Sequence, residues 1–205
     1  MQIILYELGP TRSSRCRWTL LEAGLDFESR GNSSEIFECE ELRKVHPLGK
    51  LPAAIIDDKP LFESAAICST IADLVPERNL IGRPGTWARA LHNQWTSFVL
   101  TELEAWLWST DLNTDERGFL MPRDDQVPEI VHQNRKLAQR AAAVLDAQLQ
   151  KTKFLVENRF SVADIIVGYT VSWLEELEWI ASFPNLSDYL DRLCEREHCT
   201  ISRHK

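Results

Sequence analysis

The residues whose types and spacing could bind a ligand lie in two neighbouring segments, "LGKLPAAIID" with Pro52 and "LFESAAI" with Glu63 and Ser64. Proline has no N–H to donate to a sheet, so strands admit it mainly at edges and first positions. A cis peptide bond, which is common only before proline, would turn the Leu51 backbone outward. Its N–H and C=O could then pair with an extended peptide ligand, as an added strand does.

Glu63 and Ser64 lie where the second of these segments passes from a strand into a helix. Ser64 is a favourable helix cap, and the N–H groups beside it could hold a carboxylate at the positive end of the helix. Glu63 could hold an amine. Together with the Leu51 backbone, the two side chains predict a ligand with an amino-acid end and a peptide middle.

The elements that must position these residues change in type after residue 75. Residues 1–75 contain short apolar or alternating stretches, typical of strands, between helical stretches. We predict strand 2–7, helix 13–23 ending at Gly24, strand 26–30, helix 34–44, strands 53–57 and 60–63, and helix 64–74. Proline, glycine and charged residues fill 76–85, which we interpret as a linker.

Residues 86–205 carry apolar side chains at helical spacing and almost no strand pattern. We predict helices over 86–112, over 127–151, from Ser161 onward and over 185–196. The segment "RFSVADI" is a well-specified helix start, because Ser161 can cap the helix while Asp164 reaches back to the cap N–H. A small α/β domain over 1–75 therefore precedes an all-α domain over 86–205.

Composition and charge exclude several functions. The 205 residues carry a formal net charge of −8, whereas nucleic acid and anionic membrane surfaces bind basic proteins. No apolar run approaches the roughly 20 residues that span a bilayer, and no basic region precedes the N-terminal apolar stretch, as a secretory signal requires. The five cysteines lack C-x-x-C spacing and the histidines lack ligand spacing. We therefore expect no metal site and a reducing, cytoplasmic location.

Four segments give the chain a resemblance to a known family: "LYELGPTRSSRCRWTLLEAGLDFE", "HPLGKLPAAIIDD", "LFESAAI" and "RFSVADI". The chain resembles the cytosolic glutathione transferases, and among them the bacterial-like, hydroxyl-using branches. The resemblance implies a thioredoxin-like N-terminal domain that binds glutathione, a helical C-terminal domain that supplies the second substrate's pocket, and a homodimer. It also implies a cis bond at Pro52, pairing of the Leu51 backbone with the cysteinyl unit, and binding of the γ-glutamyl end by Glu63 and Ser64.

The chemistry that this resemblance implies requires the glutathione thiol to be a thiolate near neutral pH, and a helix N-terminus or a nearby donor lowers a thiol pKa. The segment "GPTRSSR" lies where the first strand meets the first helix. In the serine-using branches the activating hydroxyl lies one turn before an arginine, which selects Thr11 when counted from Arg15. Ser13 and Ser14 remain alternatives, as does a structural role for all three as helix caps.

Further residues near the thiol are candidates for binding the two substrates. Arg12 and Lys50 could reach the glycine carboxylate of glutathione. Leu8 and Pro10 from the loop, with Trp106 from the first long helix, could line a pocket for a small apolar electrophile.

Two acids and one cysteine nearby also have structural interpretations. Glu102 and Glu104 fit a solvated helix face as well as they fit the pocket. Cys16 fits a buried small hydrophobe better than a redox group.

Two alternatives to a conjugating enzyme remain. One is a glutathione-dependent isomerase or peroxidase of the same family, and the other is a glutathione transferase-like binding protein without catalysis. The threonine at position 11, where a serine is expected, keeps the second alternative open.

Overall fold

The computed structural model describes residues 1–31 and 33–203, and the first part of the chain combines a sheet with helices. Its elements are β1 (Ile3–Glu7), α1 (Ser13–Ala23), β2 (Glu28–Gly31), α2 (Glu40–Val45), β3 (Ala53–Ile56), β4 (Lys59–Phe62) and α3 (Ser64–Leu74). The strands form one sheet in the order β2-β1-β3-β4. β1 runs parallel to β2 and antiparallel to β3, which runs antiparallel to β4.

β1 is buried along its whole length because both faces of the sheet are covered. Successive side chains of a strand point to opposite faces. Ile3 and Leu5 accordingly join the main core together with residues of α1 and α3. Ile4 and Tyr6 join a smaller cluster with Leu42 of α2. A strand covered on both faces is expected to be a continuous apolar run, as Ile3–Tyr6 is, whereas the buried Glu7 at its end forms an ion pair with Arg17.

The helices predicted over 13–23 and 64–74 are confirmed at both ends. Gly24 terminates α1 with a φ of 67°, a left-handed conformation that glycine adopts without steric cost. Because α1 begins at Ser13 and α3 begins at Ser64, the segments "GPTRSSR" and "LFESAAI" each contain a helix N-terminus.

The helix predicted over 34–44 is wrong in part. The structure has a 3₁₀ helix at Ser34–Glu38 and then α2, separated by Cys39 in an extended conformation (φ −68°, ψ 118°). Ile36 of the first piece and Leu42 of the second are buried in the same small cluster. Packing of two short pieces on one face of the sheet has therefore replaced the single amphipathic helix.

The second part of the chain is built from α-helices, which confirms the predicted fold class. They are α4 (Trp87–Phe98), α5 (Ala105–Thr114), α6 (Ile130–Leu149), α7 (Val162–Glu176) and α8 (Pro184–Cys194). A π-helical segment, Val99–Glu104, joins α4 to α5 in place of the uninterrupted helix predicted over 86–112. Within the described ranges, no helix has both the length and the apolarity needed to cross a bilayer.

The start of α7 is the capping structure that the sequence predicts. Asp164 Oδ2 accepts hydrogen bonds from the Ser161 N–H at 2.9 Å and from the Ser161 hydroxyl at 3.0 Å. Asp164 Oδ1 accepts from the Leu155 N–H at 3.0 Å and from the Tyr189 hydroxyl at 2.9 Å. All four donors come from residues of the helical domain, so this carboxylate has a folding role.

One apolar core connects the two parts of the chain. It includes Trp18 of α1, Ile67 of α3 and Ile166 of α7. The segment 76–85 is also packed, since Leu80 is buried and its C=O accepts a hydrogen bond from the Val162 N–H at 2.8 Å. The helical domain is thus held against the ends of α1 and α3, where the candidate site lies.

Candidate active site

The loop between β1 and α1 is held together by its own hydroxyl groups. The Thr11 hydroxyl donates to the Leu8 C=O at 2.5 Å and lies 2.9 Å from the Ser13 hydroxyl. Ser13 Oγ accepts from the Leu8 N–H at 3.3 Å, and the Ser13 N–H donates to Thr11 Oγ1 at 3.2 Å. A hydroxyl has one proton to donate, so the Thr11 proton goes to a backbone carbonyl in this state.

The three candidate hydroxyls differ in their access to solvent. Thr11 is half-buried, whereas Ser13 is 1% exposed and Ser14 is 9% exposed. The Ser14 C=O accepts a hydrogen bond from the Thr200 hydroxyl at 2.9 Å, which attaches the start of α1 to the C-terminal segment. A ligand can therefore reach Thr11 with less rearrangement of the helix than Ser13 would require.

Arg15, the residue from which Thr11 is counted, is fully buried and connects four elements. It forms an ion pair with Glu104. It also donates to Thr170 Oγ1 at 2.7 Å and to Ser64 Oγ at 3.1 Å. One guanidinium group on α1 thus contacts the π-helical segment, α7 and the first residue of α3, and it orients the Ser64 side chain.

Glu104 is buried and forms ion pairs with two arginines. Burial by itself would raise the pKa of Glu104, but the charge and hydrogen bonds of Arg15, together with those of Arg12, lower it to about 2. Two guanidinium groups and one carboxylate leave a net positive charge beside the loop between β1 and α1, which favours an anion there. The interpretation of Glu104 as part of a solvated face is wrong, whereas Glu102 is exposed.

Arg12 lies where the two domains contact each other. Its Nε donates to Glu104 Oε1 at 2.6 Å. Its guanidinium carbon lies 4.7 Å from the ring centre of Trp108 and 5.1 Å from that of Trp173, within the range of cation–π contacts. Lys50 Nζ lies 5.9 Å from the same Trp108 ring. Two cations of the first domain therefore contact two tryptophans of the second.

The proline loop, which contains Leu51 and Pro52, lies beside Glu63 and Ser64 at the end of the sheet. The Leu51–Pro52 peptide bond is cis, and β3 begins directly after it. Ala53 of β3 pairs with Phe62 of β4, so the register brings Pro52 beside Glu63. Glu63 has a φ of 73°, a strained conformation for a residue other than glycine that is frequent at functional sites. Within the described ranges, the Leu51 N–H and C=O have no hydrogen-bond partner in the protein.

The residues predicted to line the electrophile pocket have different surroundings in the structure. In the loop between β1 and α1, Leu8 is half-buried and Pro10 is exposed. Trp106 packs against the main core, whereas Trp108 contacts Arg12. Helix positions two residues apart do not share a face, so α5 turns Trp108 toward the loop. Both tryptophans lie in one apolar pattern, and nothing local in the sequence distinguishes them.

Two residues of the site, Thr170 and Trp173 on α7, are not predicted by the sequence patterns. Thr170 is a fully buried hydroxyl within the apolar stripe of that helix, and it donates to Glu104 Oε2 at 2.8 Å while Arg15 donates to it. A polar residue inside an apolar stripe is the one signal that could have identified Thr170. Trp173 has no such signal, since a tryptophan in that stripe is indistinguishable from core.

Other reactive side chains near the site have structural surroundings. Cys16 is fully buried, as expected of a small hydrophobe, with its Sγ 3.8 Å from that of Cys68. His46 Nδ1 accepts a hydrogen bond from the Leu48 N–H at 3.1 Å, which gives it a role in the turn. Among the residues that the structure describes, no three His, Cys, Asp or Glu side chains are grouped as a metal site requires.

Comparisons with known proteins identify the family. Residues 1–73 match the model of the glutathione S-transferase N-terminal domain, and residues 114–197 match that of the C-terminal domain. Over 190 residues the chain is 26% identical to the glutathione S-transferase GstA of Escherichia coli O157:H7, with 87% of this chain and 86% of the relative covered.

Solved structures extend the comparison to the fold. A crystal structure of a glutathione transferase from Methylococcus capsulatus has a TM-score of 0.81 and 27% identity, covering 96% of this chain and 95% of its own. A sphingomonad glutathione S-transferase solved in complex with glutathione has a TM-score of 0.82 and 24% identity, covering 96% and 94%. Both domains in order, and the whole fold, agree: the chain belongs to the glutathione S-transferase family.

Proposed function

We propose that the protein is a glutathione transferase that attacks small, largely apolar electrophiles with the glutathione thiolate. The observation that carries the proposal is the contact of buried Arg15 with Ser64. This contact joins the start of α1, where the thiol would lie, to the start of α3, where the γ-glutamyl end would lie. Family membership supplies the identity of the ligand.

Glutathione would bind along the edge between the proline loop and α3. The Leu51 N–H and C=O, which have no partner in the described protein, would pair with the cysteinyl unit as strands pair. The α3 N-terminus at Ser64 would hold the γ-glutamyl carboxylate, and the exposed Glu63 would hold its amine.

The glycine carboxylate of glutathione is best assigned to Lys50. Lys50 is exposed beside the proline loop, whereas Arg12 already pairs with Glu104. A lysine with an exposed ammonium group can follow a flexible carboxylate. Arg12 would contribute its positive charge to the site without being the principal carboxylate ligand.

The thiolate would be stabilised by the Thr11 hydroxyl and the positive end of α1. Thr11 would exchange its bond to the Leu8 C=O for a bond to the sulfur, since charged acceptors form stronger hydrogen bonds than neutral ones. Ser13 would support Thr11 through the hydroxyl contact of 2.9 Å. The electrophile would lie against Leu8, Pro10 and Trp108, with Trp108 in the place that the sequence predicts for Trp106.

Replacing Ser64 by alanine should weaken glutathione binding by about 1–3 kcal/mol, roughly five- to hundredfold. The reason is that the charged γ-glutamyl carboxylate would lose its hydrogen bond with the Ser64 hydroxyl. Isothermal titration calorimetry measures the effect. Ser69→Ala is the matched control, because its hydroxyl lies one turn further along α3 and donates to the Ala65 C=O. Equal affinities of wild type and Ser64→Ala would remove Ser64 from the site.

We also propose that the protein is a cytoplasmic homodimer. Family membership motivates this, and exposed Phe62, Leu74 and Trp87 on β4, α3 and α4 support it, since they are large apolar side chains. Light scattering at micromolar concentration should give about twice the 23.6 kDa of one chain. Trp87→Glu should lower that mass, whereas Val144→Glu on α6 should not. A wild-type mass near that of one chain contradicts the proposal.

A conjugation assay with a panel of electrophiles tests the proposed activity. Purified protein with glutathione should consume at least one electrophile faster than glutathione alone does. Glutathione binding without any conjugation, isomerisation or peroxide reduction would instead identify a binding protein.

A further inference from the structure

Two cysteines at the end of α8 lie close enough to react with each other. Cys194 is the last residue of α8, and the turn after it brings back Cys199, whose N–H donates to the Arg196 C=O at 3.1 Å. The next residue, Thr200, donates its hydroxyl to the Ser14 C=O of α1 at 2.9 Å. The two Sγ atoms lie 3.9 Å apart. A disulfide needs about 2.05 Å, so a shift within the range of side-chain rotation would join them.

A second pair of cysteines has the same spacing but no access to solvent. The Sγ atoms of Cys16 and Cys68 lie 3.8 Å apart, and both residues are fully buried. Cys194 and Cys199 are half-buried, and residues 195–198 between them are exposed or half-buried. A reagent in solution can therefore reach the pair at the end of α8 while the core stays intact.

The four residues between Cys194 and Cys199 all line one cavity, which has a volume of about 520 Å³. The rest of its lining is Glu22, Lys153, Phe154 and Arg192. Among the residues that the structure describes, the buried Arg192 Nε has no hydrogen-bond partner, and a carboxylate in the cavity would supply one. The lining also includes acids that can pair with an amine. A small peptide that carries both carboxylates and amines matches this surface.

We propose that Cys194 and Cys199 are a site of thiol–disulfide exchange with glutathione disulfide, which binds in this cavity. Glutathione disulfide combines carboxylates, amines and a reactive S–S bond in one small molecule. The site shares no residue with the proposed transferase site, so the inference goes beyond the proposed function and does not depend on it. In a reducing compartment the resulting protein disulfide would be transient.

The two cysteines have different parts in the exchange. Burial is the main reason that the pKa of Cys199 is raised to about 12, and the charge of Glu22 adds to it. Cys199 is therefore protonated at neutral pH, and Cys194 makes the first attack, because the thiolate is the nucleophile.

The exchange conserves atoms and electrons. The Cys194 thiolate forms a bond to one glutathione sulfur, and the other leaves as a thiolate that takes up the proton Cys194 gave to water. The Cys199 sulfur then attacks Cys194 Sγ, and the second glutathione leaves with the proton of Cys199. The two protein thiols are oxidised to a disulfide, while one glutathione disulfide is reduced to two molecules of glutathione.

Mass spectrometry of the reduced protein after incubation with glutathione disulfide tests the proposal. Free thiols are alkylated under denaturing conditions, and trypsin then cleaves after Arg196, between the two cysteines. We expect a disulfide that joins the peptide containing Cys194 to the peptide containing Cys199. Cys16 and Cys68 should both be recovered alkylated.

Single substitutions separate the two steps of the exchange. Cys199→Ser should stop at a mixed disulfide with one glutathionyl group on Cys194, because no second thiol displaces it. Cys39→Ser is the matched control, since it removes another half-buried cysteine and should leave the Cys194–Cys199 disulfide unchanged.

Binding in the cavity is tested by comparing glutathione disulfide with uncharged bis(2-hydroxyethyl) disulfide. Lys153→Ala removes an exposed cation that lines the cavity. It should slow the reaction with glutathione disulfide about two- to fivefold, as expected for an exposed ion pair, and leave the reaction with the uncharged reagent as in wild type. Lys151→Ala, at an exposed position outside the lining, should change neither rate.

Three results would overturn the inference. Wild-type protein in which Cys194 and Cys199 are both recovered alkylated, or which retains a stable mixed disulfide, has no exchanging dithiol. Joining of Cys16 to Cys68 at the same rate would show that access does not select the site. Equal effects of Lys153→Ala on the two reagents would exclude binding of glutathione disulfide in the cavity.

Discussion

Glu104→Leu should lower the free energy of unfolding by about 3–5 kcal/mol, the range for removing one partner of a buried ion pair. Arg15 would keep its charge while fully buried. Among the residues that the structure describes, the hydroxyl groups of Thr170 and Ser64 would remain as its only hydrogen-bond partners. Chemical denaturation followed by circular dichroism measures the loss.

The contribution of this ion pair to stability depends on pH, and the direction of the change follows from the pKa of Glu104. That pKa is lowered to about 2, against about 4.3 in an unfolded chain. The stability that the carboxylate contributes is therefore complete above the unfolded value and is lost as the pH falls toward 2. Between these two values, wild type should lose stability with acid more steeply than Glu104→Leu does.

Two control variants separate the buried charge from a general loss of packing. Arg15→Met combined with Glu104→Leu should recover much of the stability, since a buried pair replaced by apolar residues is often neutral. Glu28→Gln removes a partner of Arg30 in a half-exposed pair and should cost less than about 1 kcal/mol. If Glu104→Leu also costs less than that, the network around Arg15 does not stabilise the fold.

Thr11→Ala should lower kcat/KM for conjugation at neutral pH by roughly ten- to hundredfold. A charged hydrogen bond contributes about 1.5–3 kcal/mol, whereas the helix end contributes about 0.3–1 kcal/mol. The helix alone therefore cannot replace the lost hydroxyl. Steady-state kinetics with a chloronitroarene and glutathione measure the effect, and Thr11→Ser should restore the rate.

Ser13→Ala is the matched comparison for Thr11, because the two hydroxyl groups lie 2.9 Å apart. Loss of activity in Ser13→Ala but not in Thr11→Ala would assign the activating hydroxyl to Ser13. Unchanged activity in both variants would leave only the backbone N–H groups at the start of α1 to activate the thiol. Thermal melts of both variants check that the loop remains folded.

Local signals predict those parts of the fold that depend on local interactions. The end of α1 is set by Gly24, because a left-handed residue acts within one turn. Ser13 and Ser64 are the first residues of α1 and α3 but do not cap them, since the N-cap positions are Arg12 and Glu63. The 3₁₀ helix that replaces the start of the helix predicted at 34–44 depends instead on the sheet beneath it. No local pattern records that tertiary contact.

The buried charges of the site could not be predicted for the same reason. Glu104 lies 89 residues from Arg15 in sequence, and the pair forms only when the two domains pack together. The π-helical segment that ends at Glu104 shifts the helical phase of α5, so Trp106 and Trp108 could not be assigned to faces from their spacing. The sequence could identify the candidate glutathione ligands because they lie at strand and helix ends, which local patterns mark.

The pKa of the glutathione thiol in its complex with the protein shows whether the Thr11 hydroxyl and the start of α1 stabilise the thiolate. Ultraviolet absorbance of the thiolate, measured against pH at saturating protein, gives that pKa. We predict a pKa about two units below that of free glutathione, equivalent to about 2.7 kcal/mol, and a smaller shift in Thr11→Ala. Bound glutathione whose thiol titrates as it does in free solution would contradict activation of the thiol by Thr11 and α1.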